Sequence, residues 1–337
     1  MSGYNVAIAG VTGAVGQEML RTLEARDFPV KSLKALASSR SVGKKVTFRG
    51  EEVFVEELSD DSFEGVEVAL FSAGADRSKQ FAPAAMAAGC VVIDNSSAFR
   101  LNPDIPLVVP EVNAQEVASH HGIIANPNCS TIIACVPLWP LHQAAGIRRI
   151  VCATYQAVSG TGAAALRELE AQTRAWAAGE PLTAEAYPHQ IAFNCLAQVG
   201  KADETGYTSE EMKLLHETRK IFGDHHISVS CTCVRVPVFR SHSEAIWIET
   251  DKMLTVEDAR EVLSKAPGVV LKDDVNANQY PMPLETSGKD DIYVGRVRRD
   301  PSCERGLALW VTGDQLLKGA ALNAVQIAEV LYGLKGK

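Results

Sequence analysis

Asn5-Val-Ala-Ile-Ala9 runs at once into Gly10-Val-Thr-Gly13-Ala-Val-Gly16, and a helical pattern follows over residues 16–26. A short apolar run with no polar alternation reads as a strand covered on both faces. Small residues after it let the backbone come close to a pyrophosphate, and the start of a helix offers unpaired N–H groups to the same anion. Gly10, Thr12, Gly13, Ala14 and Val15 are therefore candidate dinucleotide contacts. The spacing is G-x-x-G-x-x-G and departs from G-x-G-x-x-G, so the motif draws its weight from the strand before it and the helix after it. A tight turn with no ligand would use the same letters.

Working outward, further apolar runs lie at residues 33–37, 53–55, 66–71, 90–93, 107–109 and 122–125, and a second helical pattern at 76–88 is closed by Gly89. Strand–helix alternation of this kind predicts a doubly wound parallel sheet, Rossmann-like, over residues 1–128. The second run ends in Ala37-Ser38-Ser39-Arg40-Ser41. An NAD site wants a carboxylate here for the ribose 2′-OH, whereas Ser38, Ser39 and Arg40 suit a 2′-phosphate, which predicts NADP. A solvated basic loop is the plainer alternative. Ser72-Ala73-Gly74 gives another backbone-exposing turn on the same edge of the sheet.

Near residue 147 the texture changes. Longer strand patterns appear at 150–157, 227–236, 245–249, 292–297 and 307–311, with helical patterns at 163–178, 209–222 and 256–265. Thr208 and Glu211 form a capping box that starts the second of these helices. Long strands with few helices between them predict an α+β domain over 129–314, its sheet mixed or mostly antiparallel with helices on one side. A last helix, 315–335, carries Leu316, Leu317, Ala320, Ala324, Ile327, Val330 and Leu331 on one stripe and is expected to return to the first domain.

Composition narrows the function. A length of 337 residues favours two domains, and 46% hydrophobic with 22% charged residues is an ordinary globular balance. The net charge is −8, and basic residues cluster no further than pairs such as Lys44-Lys45, which argues against nucleic acid and anionic membrane as partners. No apolar stretch has the length of a membrane span, and the first strand leaves no room for a basic leader, so a cytoplasmic location is expected. Eight cysteines include no C-x-x-C pair, and no H-E-x-x-H occurs, so no metal is expected. In a reducing compartment they stay thiols, most of them small buried hydrophobes.

One cysteine stands apart, in Asn126-Pro-Asn-Cys129-Ser-Thr-Ile-Ile. Pro127 holds its predecessor extended and ends a strand. A helix is expected from about Cys129 to His142, with a break tolerated near Pro137 or Pro140. A thiol at a helix start sees the positive end of the dipole, which favours its thiolate.

This segment is joined by Asp94-Asn-Ser-Ser-Ala-Phe-Arg100, Tyr155-Gln156-Ala-Val-Ser159-Gly160, Thr232-Cys-Val-Arg235-Val-Pro, Ser241-His242-Ser243-Glu244 and Asp314-Gln315-Leu-Leu-Lys-Gly-Ala-Ala. In this order, over nearly the whole chain, the sequence resembles bacterial aspartate-β-semialdehyde dehydrogenases. The resemblance implies an NADP-binding domain and a catalytic and dimerisation domain. It implies NADPH-dependent reductive dephosphorylation of L-aspartyl-4-phosphate in aspartate-family amino-acid biosynthesis, by a homodimer or homotetramer. It makes Cys129 the nucleophile, His242 the acid and base, and Gln156 the group that orients substrate. Arg235 would hold the substrate carboxylate and Glu210 its ammonium, with Asn128 also in the substrate site. Arg100 and Lys213 would bind phosphate, and Ser159, Gly160 and Gln315 would meet the cofactor.

The residues bear on this by themselves. Such a substrate carries a carboxylate, an ammonium and a phosphoryl group, which one Arg, one Glu and two cations would match. Glu210 and Lys213 stand three apart on one helix, as an ordinary surface ion pair also would. Glu211 competes with Glu210, although the capping box gives it a structural task. On one continuous strand Arg235 and His242 would lie about 23 Å apart on opposite faces. Pro237 must break that strand if both are to reach one cleft. The N–H of Cys129 or Asn128 is the expected donor to a developing oxyanion. Two alternatives remain at this point. With N-acetyl-γ-glutamyl phosphate as substrate Glu210 would have no cation to meet, and a non-catalytic paralogue would be marked by loss of the cysteine.

Overall fold

The computed structural model describes residues 3–334. Contacts divide the chain into two units, one running through Asn128 and resuming at Gly319, the other Cys129–Lys318.

The first unit comprises β1 (Tyr4–Ala9), α1 (Ala14–Ala25), β2 (Val30–Ala37), β3 (Lys45–Phe48), β4 (Glu51–Glu57), β5 (Val68–Phe71), α2 (Ala75–Ala87), β6 (Val91–Asp94), α3 (Pro110–Asn113) and β7 (Ile123–Ala125). The strand order is β3-β4-β2-β1-β5-β6-β7, parallel throughout except for the β3–β4 hairpin. β1 shows why its sequence is apolar without alternation. Val6 and Ile8 enter one core with Leu20 and Leu23 of α1, while Ala7 and Ala9 enter another with Ala82 and Ala85 of α2. The strand order reverses at β1, so the turns after β1 and β5 open side by side. Gly10 has φ +90°, and a Cβ there would lie 2.5 Å from the Ser72 carbonyl oxygen. Only glycine fits.

Residues 107–109, expected as a strand, are not one: Leu107 makes a single isolated bridge to Ala125. Pro106 and Pro110 flank the run and have no N–H for a ladder, and Pro110 instead opens α3. β3 was not expected. Its four residues alternate exposed and buried, and the charge of Lys45 masks so short an alternation.

The second unit comprises α4 (Cys129–Ala145), β8 (Ile147–Gln156), α5 (Ala163–Ala178), α6 (Ser209–Phe222), β9 (Ser228–Arg235), β10 (His242–Thr250), α7 (Val256–Ser264), β11 (Val269–Leu271), α8 (Pro283–Thr286), β12 (Ile292–Arg299) and β13 (Gly306–Gly313). Its sheet has the order β11-β12-β13-β10-β8-β9 and is mixed, parallel only in the β8–β9 and β11–β12 pairs. α4 packs on the central strands, with α6 and α7 against it. That central position explains why α4 is apolar almost all round and continues through Pro137 and Pro140, since burial outweighs the lost backbone hydrogen bonds. The expected capping box is present: Thr208 Oγ accepts from the Glu211 N–H, and Glu211 accepts from the Thr208 N–H.

The last helix differs from the continuous 315–335 expected. The Asp314 carboxylate accepts the N–H groups of Leu316 and Leu317, residues 317–321 form one wide π turn, and α9 proper is Leu322–Leu331. Residue 335 lies outside the described residues. α9 belongs to the first unit. Arg26 makes a bidentate pair with Glu329 at 2.7 and 2.8 Å, and Asn323 donates to the Val108 carbonyl at 2.9 Å. Among the described residues no helix is long and apolar enough to cross a membrane. Nor, among them, is any group of three or more His, Cys, Asp or Glu side chains placed so that it could hold a metal ion.

Candidate active site

In the second unit, sheet order builds a row of polar side chains. Gln156 ends β8 and is the register partner of Arg235, which ends β9. β10 lies on the other side of β8, antiparallel to it, so its first residue, His242, falls at the same end. Arg235 and His242 thus reach one place from two strands separated by β8, and the segment around Pro237 makes the crossing. Cys129, the first residue of α4, places its Sγ 3.6 Å from His242 Nε2.

His242 is buried, and its Nδ1 accepts the Ala157 N–H at 3.0 Å. The neutral ring therefore carries its proton on Nε2, the atom that faces the sulfur. Burial, helped by the nearby Arg235 cation and opposed by Glu210, pushes its pKa down to about 3. The ring is neutral at pH 7. Ala157 also accepts a 2.6 Å hydrogen bond from Arg235 Nη1, so one backbone residue fixes both side chains. Gly160 stands against them: a Cβ there would lie 3.1 Å from Arg235 Nη1 and 3.2 Å from His242 Cε1.

Gln156 donates from Nε2 to Ser130 Oγ at 2.6 Å and to Glu210 at 3.2 Å. Its buried Oε1 has no protein partner among the described residues. The second Glu210 oxygen accepts from Lys213 Nζ at 2.9 Å. Glu211 is turned away, with its carboxylate held by the N–H groups of Thr208 and Cys233 at 2.7 and 2.9 Å. Of the two acids, Glu210 therefore stands beside Gln156. Next to Arg235 lies a cleft of about 820 Å³, walled by Thr161, Tyr187, His189, Asn194 and Leu196. Elsewhere burial pushes the Cys90 thiol up to about 12 and Cys135 higher still, which disarms them as nucleophiles.

Gln315 and Ser159 also lie in this unit, where the Gln315 amide donates to Ser159 Oγ and accepts the Ser241 N–H at 2.8 Å. The remaining expected residues belong to the first unit. Asn128 is its last residue before α4 and is buried. Arg100 is buried, with Nε and Nη2 donating to the carbonyls of Asn126 and Asn95, both at 2.9 Å. Thr12 and Gly13 are exposed in the loop after β1, Ala14 and Val15 open α1, and Ser72 follows β5. Gly13 is the N-cap of α1 and supplies no side-chain hydrogen bond, which leaves the first N–H groups of the helix to an outside acceptor. Ser38 precedes a single 3-10 turn that holds Ser39 and Arg40. Arg40 is exposed.

Sequence reasoning gave no role to Ser130, Ala157 or Ser241. All three lie within segments it singled out. What it lacked was the strand order that makes them neighbours of Gln156 and His242.

Comparison with known proteins gives the family. Residues 5–120 match the family model for the semialdehyde dehydrogenase NAD-binding domain, and 138–318 the semialdehyde dehydrogenase dimerisation domain. The chain is 54% identical over 333 residues to the aspartate-semialdehyde dehydrogenase of Aquifex aeolicus, covering 98% of each. It is similar to the structure of aspartate semialdehyde dehydrogenase II complexed with ASA from Vibrio cholerae, with TM-score 0.96, 47% identity and 99% of each chain covered. The aspartate semialdehyde dehydrogenase with NADP from Candida albicans matches with TM-score 0.77 at 25% identity, covering 98% of this chain and 99% of that one. By both halves and over nearly its full length, the chain belongs to the semialdehyde dehydrogenase family, among its aspartate-semialdehyde dehydrogenases.

Proposed function

We propose that the protein reduces L-aspartyl-4-phosphate to L-aspartate-4-semialdehyde and phosphate with NADPH, reversibly, in the biosynthesis of lysine, threonine, methionine, isoleucine and diaminopimelate. The observation that carries the reading is the Cys129 sulfur 3.6 Å from His242 Nε2 at the start of a helix. Gln156, Arg235 and Glu210 stand in the adjoining row. Arg235 takes the substrate carboxylate, Glu210 its ammonium, and Gln156, its amide held by Ser130 and Glu210, orients the substrate beside them.

The cofactor fits the residues present. The uncapped start of α1 and the glycine turn before it suit a pyrophosphate, and Arg40 with Ser38 and Ser39 suits a 2′-phosphate. Ser72 adds backbone on the same edge. When bound, NADPH supplies hydride to an acyl carbon. The chain's own residues do the rest. Cys129 attacks the acyl phosphate as thiolate, phosphate leaves, and a thioester remains on the sulfur. Lys213, paired with Glu210, supplies positive charge for that phosphate. His242 offers its Nε2–H to the sulfur and to the oxyanion that forms at the carbonyl, with the Cys129 N–H at the helix start as a second donor. After hydride addition the thiohemiacetal collapses and Cys129 is released. In the oxidative direction His242 must take up a proton. It can do so at Nε2 only as the other tautomer, with the ring proton on Nδ1 and the bond to the Ala157 N–H given up.

The reading extends to assembly and location. The protein works in the cytoplasm as a homodimer or homotetramer, paired through the face of the second sheet on which Tyr155 and Trp310 are left partly exposed with their rings 5.4 Å apart. The test is a phosphate-dependent assay with L-aspartate-4-semialdehyde. NADP should be reduced about tenfold faster than NAD at equal concentration, given the charge-assisted bonds a 2′-phosphate makes. Turnover without phosphate, or equal turnover of N-acetyl-glutamate semialdehyde, would sink the reading.

A further inference from the structure

The geometry points to Gln315 as a positioning residue for His242, acting by holding Ser241 in a left-handed backbone conformation. Resemblance alone would place Gln315 against the cofactor. Its amide is already engaged. Oε1 accepts the Ser241 N–H at 2.8 Å, Nε2 donates to Ser159 Oγ, and the side chain is buried. The Ser241 N–H can only donate, so the amide orientation is fixed.

Ser241 has φ +71° and is fully buried. A residue with a Cβ avoids this region unless its surroundings impose it. Here they do so from two segments. Ser241 Oγ lies 3.0 Å from Ser287 Oγ. One oxygen of the buried Asp314 accepts from Arg240 Nε and from the Gly288 N–H, each at 2.6 Å. Residues 240–241 are thus pinned to 287–288 and to 314–315. The next residue is His242, whose Cα–Cβ direction follows from the backbone turn just before it. That direction lets one ring nitrogen meet Ala157 while the other meets the sulfur. If the turn relaxes to an ordinary φ, the ring cannot keep both contacts.

This inference rests on the proposed reading that His242 acts at the Cys129 sulfur, so the experiment reads the sulfur directly as well as turnover. In Gln315→Leu, kcat should fall about tenfold, while the KM for the aldehyde and the Kd for NADP, by fluorescence titration, stay within about twofold. The pH midpoint for iodoacetamide alkylation of Cys129 should move up as the Nε2–H leaves the sulfur. In the double variant Gln315→Leu/Ser241→Gly, glycine takes the left-handed conformation without help. At least about threefold of the lost kcat, and most of the shift in midpoint, should then return. Gln315→Glu keeps an acceptor for Ser241 and guards against a Leu variant that does not fold; it should keep most of the parent's alkylation midpoint. A rise in the NADP Kd that tracks the loss of kcat, with no rescue by Ser241→Gly, would overturn the assignment and make Gln315 a cofactor ligand. A parent enzyme with no phosphate-dependent turnover but with the alkylation behaviour described would instead refute the proposed reaction and leave the clamp standing.

Discussion

The loop at residues 10–16 and the row of Gln156, Arg235 and His242 are built from different parts of the chain. In the loop the working surface is backbone. A Cβ on Gly16 would meet the Gly10 carbonyl oxygen at 2.3 Å, so the turn closes only because side chains are missing. In the row the working surface is side chain, and backbone is the jig: the Ala157 N–H sets the His242 ring, and the Ala157 carbonyl holds Arg235. The loop is specified within seven letters and one neighbouring strand. The row needs Cys129 and His242, 113 residues apart, and a strand order that slips β8 between β9 and β10. A backbone site tolerates truncation and fails on addition. A side-chain site does the reverse.

The sharpest way to break that contrast is Cys129→Ser. An alkoxide is far harder to form than a thiolate, so kcat should drop by about 10³-fold or more. The Kd for NADP should not move, because the loop is assembled without the sulfur. Rapid-quench turnover beside a fluorescence titration measures both. Residual activity above about a hundredth of the parent's would mean that sulfur is not the nucleophile.

The same contrast explains what the sequence disclosed. β1 with its glycine turn, α5, α6 and the capping box at Thr208 could be read because each is set by neighbours in the chain. Glu210 could not be separated from Glu211 in that way, since what separates them is which carboxylate meets the Cys233 N–H on another strand. The His242 tautomer was equally out of reach: it depends on a backbone N–H at residue 157, with no letter to mark it. The late start of α9 was hidden for a different reason. Asp314 looks like one more polar residue before a helix, and only its burial shows that it is spent on capping two N–H groups and fixing Arg240.

Arg40 is the exception that sharpens the comparison, because it is a side chain offering charge at an otherwise backbone-built site. Arg40→Ala should raise the KM for NADP about tenfold and leave that for NAD within about twofold, since only the 2′-phosphate loses a charge-assisted partner. Steady-state kinetics with the two cofactors decides it. Equal effects on both would mean that the guanidinium supports the loop and reads no phosphate.

The smallest effect is expected behind the row. Glu244 follows His242 by two on β10, so both side chains leave the same face of the sheet. It is fully buried, and neither carboxylate oxygen has a protein partner among the described residues. Burial raises its pKa well above the ordinary 4.5. Burial alone therefore favours the neutral acid at this position. The sign of the pH effect follows. The unfolded chain releases this proton above about pH 4.5 while the folded chain keeps it, so the group's stabilising contribution is complete below that pH. It is lost as pH rises toward the folded pKa, by up to about 1.4 kcal/mol per pH unit. Glu244→Gln keeps the shape without the titration. Its Tm relative to the parent should be lowest near pH 5 and climb by about 2–4 °C or more by pH 8, with kcat changed less than about threefold. A Tm difference that stays flat across that range would mean the carboxylate is already ionised in the native protein. The buried face behind the proposed catalytic row would then tolerate a charge, and the side-chain site would be less exacting than its geometry implies.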